Sequence, residues 1–374
     1  MNPRIYLCVL ATFAINTDNF AIAGILLEIS RSFHVPLGIA GQLVTVYALT
    51  YGLGAPLLAV FLASFSSRWV LIAALLGFSL TNAASALAPS FGFLIGCRIL
   101  AGACAAIVSP ASYALAATLA SDAKRGLALA LIGAGSSAAT IVGLPVGAWI
   151  GQTLGWPLTF GLIAGLSTVA STVLGLIGIP SIPAIPGIGL LARFSLMVQP
   201  RLVLALLPTL FWSLAHFLVY TYVVPLLQVS THMENVSGMI LVWGIGSVIG
   251  NWLGGYLVDH IGSARTLLSS LFLLAITLSL LPILSIALPM TMGLLFLWGV
   301  AVWATWPALQ HRLHHHYPQS ASQVLALNAS LDFLGSAAGA GAGGLLLSTF
   351  PIQALAWFGG TTALIALIFV LLSL

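Results

Sequence analysis

Polar positions punctuate this chain sparsely. Breaking it at charged residues, prolines and glycines leaves apolar segments near 4–27, 39–63, 69–88, 91–119, 126–150 and 157–180. After the proline-rich stretch PSIPAIPG at 180–187 and a basic piece holding Arg193 and Arg201, six more follow near 203–228, 235–258, 264–284, 288–309, 322–346 and 352–373. A helix needs about 20 apolar residues to cross a bilayer. The pattern therefore predicts an all-α integral membrane protein of about twelve transmembrane helices, with an N-terminal unit over 1–180, a linker over 181–202 and a C-terminal unit over 203–374.

Composition agrees. Of 374 residues, 60% are hydrophobic and 4% charged, against roughly a quarter charged in a soluble domain. The net charge of +4 comes from dispersed cations, which fits loop topology and not a nucleic-acid surface. With the N-terminus cytoplasmic, Arg4, Arg68, Lys124, Arg125, Arg193, Arg201, Arg265 and Arg312 fall on inner segments and Arg31 outside. The positive-inside rule thus predicts that both termini face the cytoplasm. The apolar N-terminus shows no small-residue cleavage site and reads as a retained helix. Cys97 and Cys104, seven residues apart on one helix, are separated by a rise of about 10 Å and cannot bridge.

The two halves echo each other. Gly143 and Gly147 lie 196 residues before Gly339 and Gly343, and Ala59 to Arg68 lies at the same offset before Gly255 to Ala264. Such weak parallel repetition is typical of two-bundle transporters. Gly143, Gly147, Gly151 and Gly155 recur every four residues and put a smooth ridge on the fifth helix. That ridge serves either static packing or a surface that moves during transport.

From Asn16 onward TDNFAIAGILLEIS, AGQLVTVYALTYGLGAP, RILAGA at 98–103, GLPVGAWIGQTLGW at 143–156, HFLVYTYVVPLL at 216–227, GNWLGGYLVDHIG at 250–262 and ALNASLDFLG at 326–335 stand in order. In these stretches the chain resembles the major facilitator superfamily, in its drug:proton antiporter branch with arabinose-efflux-permease-like exporters. The resemblance implies two six-helix bundles around a central cavity that opens alternately to each side. The family's loop between helices two and three carries a glycine and an aspartate where this chain has Ala59 and Ala63, whereas the second half keeps Gly255, Asp259 and Gly262. The resemblance therefore makes Asp259 with Arg265 the candidate cytoplasmic latch, the alternative being an ordinary solvated ion pair. It also places Gly143, Pro145 and Gly147 among the residues of conformational change.

Charges inside spans are costly, roughly 2.5–3.5 kcal/mol at a helix centre, and usually functional. Asp18, in NTDNF, is the leading candidate for proton uptake and release, unless it only accepts hydrogen bonds from neighbours. Arg98 matches the arginine that the family carries in its fourth helix and associates with proton transfer, unless it snorkels to the interface. Asp332, a few residues after Asn328, is a second protonation candidate or a neutral packing residue. Glu28 and Arg31 are spaced to pair across one helical turn. His216, Tyr220, Thr221, Tyr222, Trp298, Trp303, Trp306 and Asn328 are candidates for the substrate cavity, although aromatics also form interfacial belts.

The run HRLHHHY at 311–317 reads as a short loop that lacks thiolates and carboxylates, so no metal is expected. No cofactor is expected either. Converging catalytic groups are missing, which argues against an enzyme. The expected function is export of a small organic compound by proton antiport, from a bacterial inner membrane, by a monomer with no nucleic-acid partner. A proton-coupled importer of a sugar or nucleoside, or an inactive or receptor-like homologue, stays open.

Overall fold

The computed structural model describes residues 2–62, 67–121, 124–178, 199–284 and 287–373. The central part of the 59–68 loop, including Ala63, the side chain of Ala59, and most of the 181–202 linker with Arg193, lie outside the described residues.

Twelve rods make up the described chain. They are α1 (Pro3–Ser32), α2 (Gln42–Phe61, preceded by the turn Leu37–Ala40), α3 (Ser67–Ala86), α4 (Phe91–Leu119), α5 (residues 125–155) and α6 (Trp156–Ile177). After the linker come α7 (Pro200–Tyr220, continued by Val223–Thr231), α8 (Ser237–Ile261), α9 (Ser263–Leu284), α10 (Leu288–His316), α11 (Ala321–Leu346) and α12 (Ala354–Leu372). Among the described residues ten stretches are long and apolar enough to cross a membrane, one of them the 53-residue run Arg125–Ile177 that contains both α5 and α6. Counting that run as two, and adding α11, gives the twelve. α11 falls short on hydropathy because Asn328, Asp332 and its glycines and serines dilute it, residues suited to an interior helix and not to one facing lipid.

Local chemistry explains where the rods break. α1 runs past the expected end at 27 to Ser32, since Glu28 and Arg31 leave the apolar core without interrupting helical hydrogen bonds, and it stops where His34 takes φ 53°. α10 likewise continues through the histidine run to His316, so His311–His316 is the end of a helix and not a loop, with Tyr317 as its cap. α7 is interrupted at Thr221 and Tyr222, because Pro225 has no N–H and its ring clashes with the carbonyl four residues back, that of Thr221. α5 contains two π-turns, Ala139–Gly143 and Gly151–Gly155. Gly155, at φ 102°, makes the corner into Trp156–Pro157, a conformation open to glycine and strained for other residues.

Arg4 donates to the carbonyl of Ile177 at 3.1 Å, and Arg312 donates to the carbonyl and Oγ of Ser373. These contacts tie the beginning of α1 to the end of α6, and the end of α10 to the end of α12. Both termini therefore lie at one end of the molecule, called here the termini end. The guanidinium groups also complement the partial negative charge of the helix C-termini they reach.

The glycine repeat has a structural meaning. A Cβ on Gly143, Gly147 or Gly151 would collide with Thr17, Ala21 or Ile25 of α1. In the second half a Cβ on Gly339 or Gly343 would collide with backbone or side-chain atoms of Leu214, Leu218 and Tyr222 of α7. The fifth and eleventh rods thus clasp the first and seventh by the same device, one in each half. Gly155 does not belong to the ridge, because it is spent on the corner.

The rods form two six-helix bundles. Contacts between them run from the far end, opposite the termini, down to mid-depth. At the far end Gly38 and Gly344 meet with no room for a Cβ on either, and Ser237 Oγ reaches Gln152 Oε1 at 3.4 Å. Nearer the middle, Ser247 Oγ donates to Thr140 Oγ1 at 3.2 Å, and the rings of Tyr51 and Phe333 stack at 3.6 Å. At mid-depth Asn16, Ser109, Tyr113, Ser136 and Asp332 keep partial exposure, so the seam holds polar groups within reach of water on the termini side.

Candidate functional site

Two ionisable side chains separated by 80 residues meet in the interior of the first bundle. Arg98 Nη1 of α4 lies 2.7 Å from each carboxylate oxygen of Asp18 on α1, and both side chains are at most 1% exposed. It is the one salt bridge among the described residues. Isolated charges would be expelled from such a place; paired ones are tolerated because each supplies the other's missing solvation. Gly102, one turn on, lets α4 approach the backbone of Tyr47 on α2.

The aromatic surroundings finish the cradle. The Arg98 guanidinium sits 4.2 Å from the Tyr47 ring centroid and 6.0 Å from that of Phe160, an arrangement that attracts a cation by the ring's quadrupole. Arg98 Nε and Nη2 and the Tyr47 hydroxyl are buried with no hydrogen-bond partner. One guanidinium nitrogen therefore does all the bonding to Asp18, and two others stay in reserve for a displaced carboxylate or for water.

Asp332 of α11 faces a different environment. It is half-buried, no cation among the described residues pairs with it, and its backbone carbonyl accepts from Ser213 Oγ at 2.6 Å. Next to it in sequence, Phe333 stacks on Tyr51 across the seam. One turn earlier Asn328 is fully buried and its Oδ1 accepts from Thr209 Oγ1 of α7 at 2.5 Å, leaving its amide nitrogen without a partner. On the opposite wall Asn16 donates to Ser136 Oγ at 3.1 Å.

The aromatic candidates split into two groups. His216, Tyr220, Trp298 and, at its edge, Trp303 come together with Trp243, Phe217 and Phe20 in one cluster. Tyr222 stands apart at the far-end seam, donating to the Ala340 carbonyl at 2.8 Å with its hydroxyl tight against Gly41. Thr221 bonds only within its own helix, to the carbonyl of Phe217 at 2.7 Å, and Trp306 stacks on Trp212 at 5.8 Å.

The gating candidates also separate. Gly143 and Gly147 face α1 inside the first bundle, with Pro145 between them in the short helical stretch Leu144–Ile150. The inter-bundle contact on α5 falls instead on Thr140 at the π-turn, where the backbone of α8 approaches so closely that a Cβ on Gly244 would lie 2.6 Å from the Thr140 carbonyl oxygen. Asp259 and Arg265 are both exposed at the termini end and form no ion pair in this conformation, and neither do Glu28 and Arg31. Cys97 and Cys104 are free thiols.

Sequence reasoning missed Tyr47, Phe160, Thr140, Ser247, Trp243 and Phe20. Only Trp243 carried a signal, as a tryptophan in an apolar span like the three that were singled out. The others are ordinary residues brought to the site by contacts between distant helices.

Comparison with known proteins agrees with this architecture. A family model, "Major Facilitator Superfamily", matches residues 8–340. The "Uncharacterized MFS-type transporter YbcL" of Bacillus subtilis is 32% identical over 98% of this chain and 94% of its own length. The "Inner membrane transport protein YdhP" of Escherichia coli K12 is 32% identical, over 91% of this chain and 87% of that protein. A "Probable sugar efflux transporter" of Helicobacter pylori P12 is 29% identical, over 97% of this chain and 93% of its own. Among solved structures, a bacterial homologue of the human lysosomal transporter Spinster, in an inward-facing and unoccupied conformation, superposes with a TM-score of 0.72 at 16% identity, covering 100% of this chain and 96% of that one. Two six-helix bundles and these matches establish that the chain is a multi-pass membrane protein belonging to the major facilitator superfamily, a family of transporters and not of enzymes.

Proposed function

We propose that the protein is a secondary exporter that exchanges a small organic compound for protons by alternating access. The observation that carries this reading is the buried Asp18–Arg98 pair. A carboxylate held by a permanent cation in the membrane interior has two stable states, ionised and paired or protonated and released. Converting one into the other changes what holds α1 to α4.

That change reaches the second bundle directly. Two residues beyond Asp18, Phe20 packs against Phe217, Tyr220 and Trp303, and its carbonyl accepts a hydrogen bond from Tyr220 Oη at 3.2 Å. α1 therefore links the proton site to the inter-bundle seam through a single helical turn. Asp332, partly exposed and with no cation among the described residues paired to it, supplies a second carboxylate for the proton or for a cationic group on the substrate.

In this reading the units are 1–180 and 203–374, the termini are cytoplasmic, and the membrane is the bacterial inner membrane, in which the monomer works alone. The cation distribution supports the orientation. With that orientation the far-end contacts close the outer side, and the half-exposed groups at mid-depth face the cytoplasm. Asp259 and Arg265, unpaired here, then form the cytoplasmic latch when that side shuts. Export is supported by relatives named as sugar efflux transporters.

The test is proton release from acid-loaded inverted membrane vesicles on adding antibiotics, sugars, nucleosides and dyes one at a time. At least one compound should collapse the pH gradient in vesicles with the native protein and in none with Asp18→Asn. Collapse that persists in the variant would remove Asp18 from the coupling step.

A further inference from the structure

The cluster around His216 is unusual for its polar atoms. His216 stacks on Trp243 with centroids 5.7 Å apart and planes 6° from parallel, while Tyr220 lies 5.0 Å and Trp298 5.6 Å from the same imidazole. His216, Tyr220, Trp243 and Trp298 are each at most 3% exposed. Yet the indole nitrogens of Trp243, Trp298 and the adjoining Trp303, and Nδ1 of His216, are all buried without a hydrogen-bond partner. Buried polar atoms nearly always find partners, and several orphans in one cluster call for a ligand or water that supplies them.

The open side of this box is covered from the other bundle by Phe20, whose ring meets Phe217 at 6.5 Å, Tyr220 edge-on at 5.8 Å and Trp303 at 6.1 Å. Little space remains: about 10 Å³ beside Tyr220 and Trp243. The Phe20 ring satisfies the shape of the box and none of its hydrogen bonds. No acidic or basic side chain other than His216 takes part in these ring contacts, and the neighbouring Asp18 is held by Arg98.

We propose that this box is a substrate subsite for an uncharged, flat aromatic or heteroaromatic compound carrying hydrogen-bond acceptors, and that Phe20 is the built-in stand-in that fills the box while no ligand is bound. The ligand's ring replaces that of Phe20, and its carbonyl or ring-nitrogen acceptors take the indole N–H groups. A ligand entering from the termini side displaces Phe20 from the box, and the ring returns once the ligand has left at the far side. The assignment of substrate class rests on the transporter reading above, and the exchange of rings ties occupancy of the box to the helix that bears Asp18.

Binding is read by saturable quenching of tryptophan fluorescence in the purified full-length protein. The probes are coumarin (aromatic with acceptors), naphthalene (aromatic without them) and arabinose (acceptors without an aromatic ring). Coumarin should bind at least ten times more tightly than naphthalene, and arabinose should not displace it. Trp298→Phe, which keeps a ring and removes one donor, should weaken coumarin about 3- to 10-fold, the worth of one hydrogen bond. Phe20→Ala should tighten it by vacating the box, and Trp252→Phe, a change at an exposed lipid-facing ring, should leave it unchanged. Equal binding of coumarin and naphthalene, displacement by arabinose, or indifference to both Trp298→Phe and Phe20→Ala would overturn the proposal. Asp18→Asn should still bind coumarin, so a failure of proton coupling and a failure of the box are read separately.

Discussion

Removing the charge on Asp18 strands its partner. Asp18→Asn keeps the side chain's size but leaves the Arg98 guanidinium, 1% exposed, with no anion. Breaking a buried ion pair from one side costs about 3–5 kcal/mol. The amide oxygen introduced by the substitution still accepts one hydrogen bond from Nη1, which returns about 1 kcal/mol. The Tyr47 face at 4.2 Å is present before and after the change and so does not alter the difference. The net loss should be about 2–4 kcal/mol. Arg98→Gln strands the carboxylate in the same way and should cost a similar amount. The double variant Asp18→Asn/Arg98→Gln replaces two charges by two amides able to bond each other, and should recover at least half of the summed loss. The assay is unfolding of the purified proteins in detergent with increasing denaturant, run as a double-mutant cycle. A single-variant loss below about 1 kcal/mol, or a double variant equal to the sum of the singles, would refute the idea that the pair shares the energy of a buried salt bridge.

Two further outcomes follow from close helix approaches. Gly147→Leu places its Cβ 2.8 Å from that of Ala21 and should cost about 1–3 kcal/mol of overpacking, whereas Gly161→Leu, with nothing within 4 Å, should leave thermal stability unchanged; equal effects would show that the α1–α5 ridge is not tightly packed. Gly244→Val should press α8 off the Thr140 carbonyl and favour the state open at the far end, lengthening the spin-label distance between the far ends of α5 and α8; an unchanged distance distribution would contradict that seam.

The fold was legible because in a bilayer the punctuation of an apolar chain is nearly the whole topology. Twelve segments were readable from the positions of charges, prolines and glycines, including α11, which hydropathy alone does not identify. The ends were less readable. Glu28 and the His311–His316 run mark the edge of the apolar core, and helices pass such edges freely. The glycine ridge announced a close helix neighbour, but nothing in its spacing named α1, and Gly155 belonged to a corner that only its positive φ reveals.

The same division holds at the site. Asp18 and Arg98 stood out singly, as charges where charge is expensive, and the structure joins them. Tyr47 and Phe160, which cradle the guanidinium, looked like any other aromatic residues of an apolar span. Phe20 was invisible for a different reason: its importance comes from neighbours some 200 residues away on α7, and from lying two residues from Asp18 on the same helix. Tyr220 and Tyr222, two residues apart and so about 200° apart around a helix, reach different parts of the seam, Tyr220 the carbonyl of Phe20 and Tyr222 that of Ala340.

The central claim is that titration of Asp18 drives uphill transport. It is tested most directly with the purified protein in liposomes, by imposing a pH gradient and following accumulation of a compound that has released protons from vesicles. The account predicts accumulation that grows with the gradient for the native protein, and for Asp18→Asn an exchange of labelled for unlabelled compound with no uphill movement. Uphill accumulation by Asp18→Asn, or accumulation by the native protein that ignores the gradient, would contradict it.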